Sequence, residues 1–125
     1  VNDGTEDAQP WPVELRVKRA ERRLEVDYDD GLTIDLPAEL MRVESPSAEV
    51  QGHHIAQKRI VPGKRDVAIV AVEPVGNYAV RVRFDDGHDT GIFTWRYLRQ
   101  LFEERERLWG AYLAALEARG LSRDA

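Results

Sequence analysis

Phe84-Asp85-Asp86-Gly87-His88-Asp89-Thr90-Gly91-Ile92-Phe93-Thr94-Trp95 reads as a strand end, a tight turn, a second short strand and the mouth of a helix. The Asp-Asp-Gly run has the composition of a turn, and Thr94 has the chemistry of a helix N-cap. The stretch sets His88 just past the turn and Trp95 in the first helical turn. It is preceded by Val67 to Val75, nearly all apolar, and by Tyr78 to Phe84, which Gly76-Asn77 turns back into a hairpin. It is followed by Leu98, Leu101, Phe102, Trp109, Tyr112, Leu113 and Leu116, whose three- and four-residue steps predict one long helix to about Ala118.

The same order occurs earlier. Val13, Leu15 and Val17 alternate with Glu14, Arg16 and Lys18, as in a half-buried strand. Leu24, Val26 and Tyr28 form a second strand, Asp29-Asp30-Gly31 turns it, and Leu32, Ile34 and Leu36 form a third. Pro37 to Arg42 then starts a short helix. The copies VDYDDGLTIDLPAELMR and VRFDDGHDTGIFTWRYLR stay in step to within one inserted residue. Leu32 stands where the second copy has His88, so the turn itself does not require a histidine. Shared turn chemistry explains the repeat without requiring a duplication. The expected fold is α+β: antiparallel hairpins forming a small sheet packed against one long C-terminal helix, with a short helix after the third strand.

At 125 residues the chain has room for one core. A single domain is expected over residues 13–120, with a disordered tail at 1–12 and a frayed C-terminus at 121–125. The net charge of -5 comes from well-mixed residues and argues against a nucleic-acid partner. The absence of cysteine excludes disulfides, thiolate metal sites, clusters held by this chain's thiolates and a cysteine nucleophile. No apolar run approaches the ~20 residues of a membrane helix. There is no signal-peptide pattern either, so a cytoplasmic protein without a membrane partner is expected.

Between the two copies, Val43 to Asp66 carries Pro46, Gly52, Pro62 and Gly63 with His53 and His54, and shows little period. Long loops of this kind tend to be functional or ordered by a partner. With this loop the chain resembles the small N-terminal domain of gamma-butyrobetaine hydroxylase, which also occurs as a stand-alone bacterial protein. The likeness runs from about Val13 to Leu101. In that family a Leu-Arg-x-x-Cys-Pro-Cys-x-x-Cys segment supplies three zinc thiolates, and a histidine after an acidic turn supplies the fourth ligand. The matching segment here is MRVESPSAEV, Met41 to Val50. The resemblance thus places the thiolates on Ser45, Ser47 and Val50 and the imidazole on His88. Two hydroxyls and an isopropyl group do not make a zinc site, so the resemblance implies a dismantled one. The oxygenase domain of the hydroxylase is absent from this sequence, and hydroxylation does not transfer. Similar domains fused to P-loop iron–sulfur carriers imply an accessory role in cluster assembly or delivery.

His88 has two readings. It is a metal ligand with His53 or His54 and a carboxylate such as Glu49, Asp86 or Asp89, or it is a histidine that hydrogen-bonds to Ser45 or Ser47 and ties the loop to the hairpin. Trp95 is either pocket or core. Lys58, Arg59, Lys64 and Arg65 form a basic cluster suited to a phosphate or an acidic partner surface, or are simply solvated. Ser45 to His53, including Gln51, reads as a recognition loop or as a capping turn. No phosphate loop, nucleophile elbow or nucleophile–base pair is visible, so an enzyme is not expected. The expectation is a non-catalytic accessory or protein-interaction domain, possible as a homodimer, whose binding surface comprises Ser45, Ser47, Gln51, His53, Lys58, Lys64, Arg65, His88 and Trp95. No cofactor is expected. The alternative is a metal- or small-ligand-binding domain that holds zinc or iron with His88 and His53.

Overall fold

The computed structural model describes residues 10–46 and 60–124. Strands β1 (Pro12–Lys18), β2 (Arg23–Tyr28) and β3 (Thr33–Pro37) lead into helix α1 (Ala38–Val43). Strands β4 (Ile69–Val75), β5 (Ala79–Phe84) and β6 (Gly91–Thr94) lead into helices α2 (Trp95–Glu103) and α3 (Arg105–Ala118). The fold is α+β, and its strands form two antiparallel three-stranded sheets, β1-β2-β3 and β4-β5-β6, where the sequence suggested one small sheet. The expected long helix divides at Glu104, whose backbone leaves the helical range at φ -104, ψ 14. Arg105 takes the Phe102 carbonyl at 2.6 Å and lays its guanidinium over the Phe102 ring. α3 is still the longest helix.

The two β–β–β–α units repeat each other bond for bond. In the first turn Gly31 has φ +91, Tyr28 N–H donates to Leu32 O at 2.9 Å, and Leu32 N–H donates to Asp30 Oδ1 at 3.3 Å. In the second Gly87 has φ +92, Phe84 N–H donates to His88 O at 2.9 Å, and His88 N–H donates to Asp86 Oδ1 at 3.0 Å. Glycine suits both turns because a left-handed φ costs it nothing in sterics. The lead-in to each unit matches too. Trp11 exchanges hydrogen bonds with Asp29, and Ala68 exchanges them with Asp85. Each first strand carries a bulge at the same place, between Pro12 and Glu14 and between Ile69 and Ala71. The bulged residues, Val13 and Val70, are both exposed on their edge strands, where a bulge interrupts further strand pairing.

The units interlock through their helices. Arg42 of α1 reaches the second unit's Asp86 at 2.7 Å, and Arg99 of α2 reaches the first unit's Asp30 at 3.0 Å. Between them lies a shared core with Leu24, Val26, Ile34, Leu36, Val82, Phe93 and Leu98 all fully buried, each aliphatic or aromatic side chain contributing about 1.5–3 kcal/mol of burial. Tyr28 adds a cross-unit hydrogen bond from its hydroxyl to Trp95 O at 2.8 Å. A satellite cluster of Val43, Tyr112 and Leu116 covers Ile60 and Val61. Residues 121–124, expected to fray, carry specific contacts instead. Ser122 O and Arg123 O accept from Gly63 N–H and Arg65 N–H, and Arg123 makes a two-pronged pair with the buried Glu39 at 2.7 and 2.9 Å. At the other end Trp11 and Pro12, assigned by sequence to the tail, belong to the β1 pairing.

Candidate functional site

The second Asp-Asp-Gly turn meets the end of α1 to make a closed polar corner. Asp86 Oδ2 accepts from Arg42 Nε at 2.7 Å and pairs with Lys64 Nζ at 2.6 Å, while Oδ1 accepts from His88 N–H at 3.0 Å. Burial opposes ionisation of this carboxyl, but the hydrogen bonds from Lys64, the His88 amide and Arg42 prevail and hold it at about 2. Arg42 Nη1 is buried without a hydrogen-bond partner, a cost of about 1–3 kcal/mol that the Asp86 pair must offset.

One step inward, Ser45 is fully buried and its Oγ lies 3.0 Å from His88 Nε2. Space for Ser45 exists because β6 has Gly91 opposite it. A Cβ on Gly91 would stand 2.2 Å from Ser45 Oγ. Only glycine allows this approach of loop to strand. The His88 ring also packs on Phe84, with centroids 6.0 Å apart. Tyr97 of α2 closes the corner from the side by donating its hydroxyl to Glu44 O at 2.7 Å, and burial pushes its phenol up to about 12. Among the described residues, the corner sets the His88 imidazole against the Ser45 hydroxyl beside the Asp86 carboxylate and its two cations. That arrangement fastens the start of the loop to the hairpin.

Of the residues singled out in the sequence, Ser45, His88 and Lys64 meet here. Arg65 turns away and pairs with Asp124 at 2.5 Å. Ser47, Gln51, His53 and Lys58 lie outside the described residues, as do Glu49, Val50, His54 and Arg59. Trp95 belongs to a different place. Its indole N–H donates to Asn77 O at 3.0 Å, and its ring lines a groove with Trp11 and Tyr78 that none of the corner residues borders. Among the described residues, no group of three or more His, Cys, Asp or Glu side chains is placed to hold a metal ion. No helix among them is long and apolar enough to cross a membrane.

Sequence reading missed Arg42, Gly91 and Tyr97. The signal for Gly91 was present, because a glycine inside a strand pattern marks close backbone approach. Arg42 stood at matching places in the two copies with Arg99, but that its partner lies in the other copy depends on how the units pack.

The family described as gamma-butyrobetaine hydroxylase-like, N-terminal, matches residues 15–99. A solution structure determined by NMR is 45% identical over 94% of this chain and 92% of its own, with a TM-score of 0.79. A second NMR structure is 46% identical over 94% of this chain and 88% of its own, with a TM-score of 0.81. The crystal structure of a protein of unknown function from Acidithiobacillus ferrooxidans is 49% identical over 72% of this chain and 90% of its own, with a TM-score of 0.61. No curated protein matches the chain. With a match over most of its length and these similar structures, the chain belongs to the gamma-butyrobetaine hydroxylase-like N-terminal family.

Proposed function

We propose that this chain is a non-catalytic accessory domain that contacts a protein partner through the loop beginning at Ser45. The reading is carried by the Ser45–His88 hydrogen bond at 3.0 Å in a fully buried position. Two of the four positions that the resemblance makes zinc ligands hold each other, and the hydroxyl is sealed from substrate. A buried hydroxyl of this kind fixes a loop base; it does not attack a ligand from solution. The basic residues Lys58 and Arg59, which follow Ser45 in the sequence, suit an acidic partner surface in an otherwise acidic chain. Because similar domains occur with P-loop iron–sulfur carriers, such a carrier is the partner to test first.

The test is metal content by mass spectrometry on untagged protein, wild type beside His88→Ala. Metal far below stoichiometry in both supports the reading. About one equivalent of zinc or iron in the wild type, lost in the variant, overturns it in favour of a metal site using His88 with His53.

A further inference from the structure

The described residues begin at Pro10, and Pro10 stands on the wall of the groove that Trp95 lines with Trp11 and Tyr78. The chain enters the fold there from a fixed point. Trp11 N–H donates to Asp29 Oδ1 at 3.1 Å, and Trp11 O accepts from Asp29 N–H at 2.8 Å. Whatever precedes Pro10 therefore starts at the edge of the groove.

The groove has a volume of about 700 Å³. One wall is aromatic, with Trp11 49% and Tyr78 53% exposed, high for rings of this size. The other wall is a single stripe of α2 that carries Arg96, Arg99 and Glu103 at helical spacing. Among the described residues lining the groove, the charges are thus two guanidiniums against one carboxylate, and Glu103 lies at the far end of the stripe from the helix start. Arg99 directs Nη1 to Asp30 at 3.1 Å. A guanidinium has five N–H donors, so this pairing leaves room for a second carboxylate. The start of α2, behind its cap Thr94, adds the positive end of a helix dipole. The groove suits an occupant with carboxylates near the start of α2.

The residues that lead into Pro10 are Val-Asn-Asp-Gly-Thr-Glu-Asp-Ala-Gln, residues 1–9, with three acids and no lysine or arginine. We propose that this segment of the same chain occupies the groove, with Glu6 and Asp7 against Arg96 and Arg99. Reach does not limit it. Three or four extended residues back from Pro10 cover about 10–14 Å, and Arg96 to Glu103 spans about 10 Å of helix. A segment tethered at the groove's edge acts at an effective concentration on the order of millimolar, so contacts of that modest strength suffice to hold it. It is then a built-in competitor: an acidic stretch of another protein reaches Arg96 and Arg99 only by displacing it. The inference uses no residue of the Ser45 corner and does not rest on the interaction reading.

Because the chain has no cysteine, Thr5→Cys gives a single attachment point for a nitroxide. Amide intensities of the nitrogen-15-labelled full chain are compared with the nitroxide oxidised and reduced, at low ionic strength. The same comparison is made in a variant that also carries Asp3→Asn, Glu6→Gln and Asp7→Asn. The amides of Arg96, Arg99 and Gln100 should lose intensity in the first protein and recover about twofold when the acids are neutralised or salt is raised to ~0.5 M. Equal broadening with and without the acids overturns the proposal, because a segment merely rooted at Pro10 would give it. So does broadening in a mixture of nitroxide-bearing chain without nitrogen-15 and nitrogen-15 chain without nitroxide, because the segment then occupies a second copy. Matching amide dispersion in all the variants establishes that they are folded.

Discussion

The two halves of this molecule share a turn, a bulge and a helix-borne arginine, and differ at the residues that follow the glycine. The first unit continues Leu32, then Ile34, and packs its third strand as ordinary core. The second continues His88, then Gly91, and leaves a space that Ser45 enters from outside the sheet. One backbone plan thus serves an apolar corner whose aspartate pairs with one cation among the described residues, and a polar corner whose aspartate pairs with two among them. The difference teaches that specialisation here required few side chains, because the hydrogen bonds defining the turn involve backbone and the aspartates alone.

The comparison breaks hardest at Gly91. Gly91→Ala drives a methyl into Ser45 and should lower stability by about 2–3 kcal/mol, the cost of overpacking a well-filled site. Combining it with Ser45→Gly removes the clashing atoms, and chemical denaturation should show the double variant more stable than the sum of the singles predicts. If the effects add, the close approach is not what makes glycine necessary.

Asp86→Asn should cost about 1–3 kcal/mol, since it leaves Arg42 and Lys64 facing each other around a neutral group. Asp30→Asn, at the more exposed equivalent position, should barely move the denaturation midpoint. Equal losses would erase the distinction between the corners.

The same asymmetry has a pH signature. The Asp86 carboxyl sits at about 2, below its ordinary 3.8, so its contribution is fully present above about pH 4 and is lost as pH falls toward 2. Urea midpoints should decline across that window in the wild type and decline less in Asp86→Asn. Asp27, held at about 2 by its hydrogen bonds from Arg16 and Thr33, titrates in the same window and remains in both proteins. The difference between the curves therefore belongs to Asp86.

The smallest effect tests whether the polar corner can be turned into the apolar one. His88→Leu alone leaves the Ser45 hydroxyl without this partner and should cost about 1–2 kcal/mol, whereas His88→Leu with Ser45→Ala should lie within about 1 kcal/mol of the wild type. A double variant as unstable as the single would mean that His88 stabilises through contacts other than Ser45.

Much of this was legible in the residues. Alternation gave the strands, the Asp-Asp-Gly runs gave the turns, and Thr94 does cap α2 by accepting from Tyr97 N–H at 3.0 Å. The helix break at Glu104 was not legible, because the apolar stripe from Leu98 to Leu116 keeps its period through it. The Glu39–Arg123 pair joins residues 84 apart, and no local pattern announces such a pair. Of the site, the meeting of Ser45 with His88 was one of two readings left open. The groove was missed because Trp11 fell in a stretch whose prolines and acids read as a tail.

The exchanged arginines also bear on how the chain comes apart. Each turn's carboxylate is neutralised by the other unit's helix, so separating the halves strands two aspartates and two guanidiniums together with a cut through the core. Partial unfolding of one half therefore removes support from the other, and no half-folded state is cheap. Melting should be all-or-none, with calorimetric and van't Hoff enthalpies equal, and a chain cut between residues 46 and 60 should fold only when both fragments are mixed.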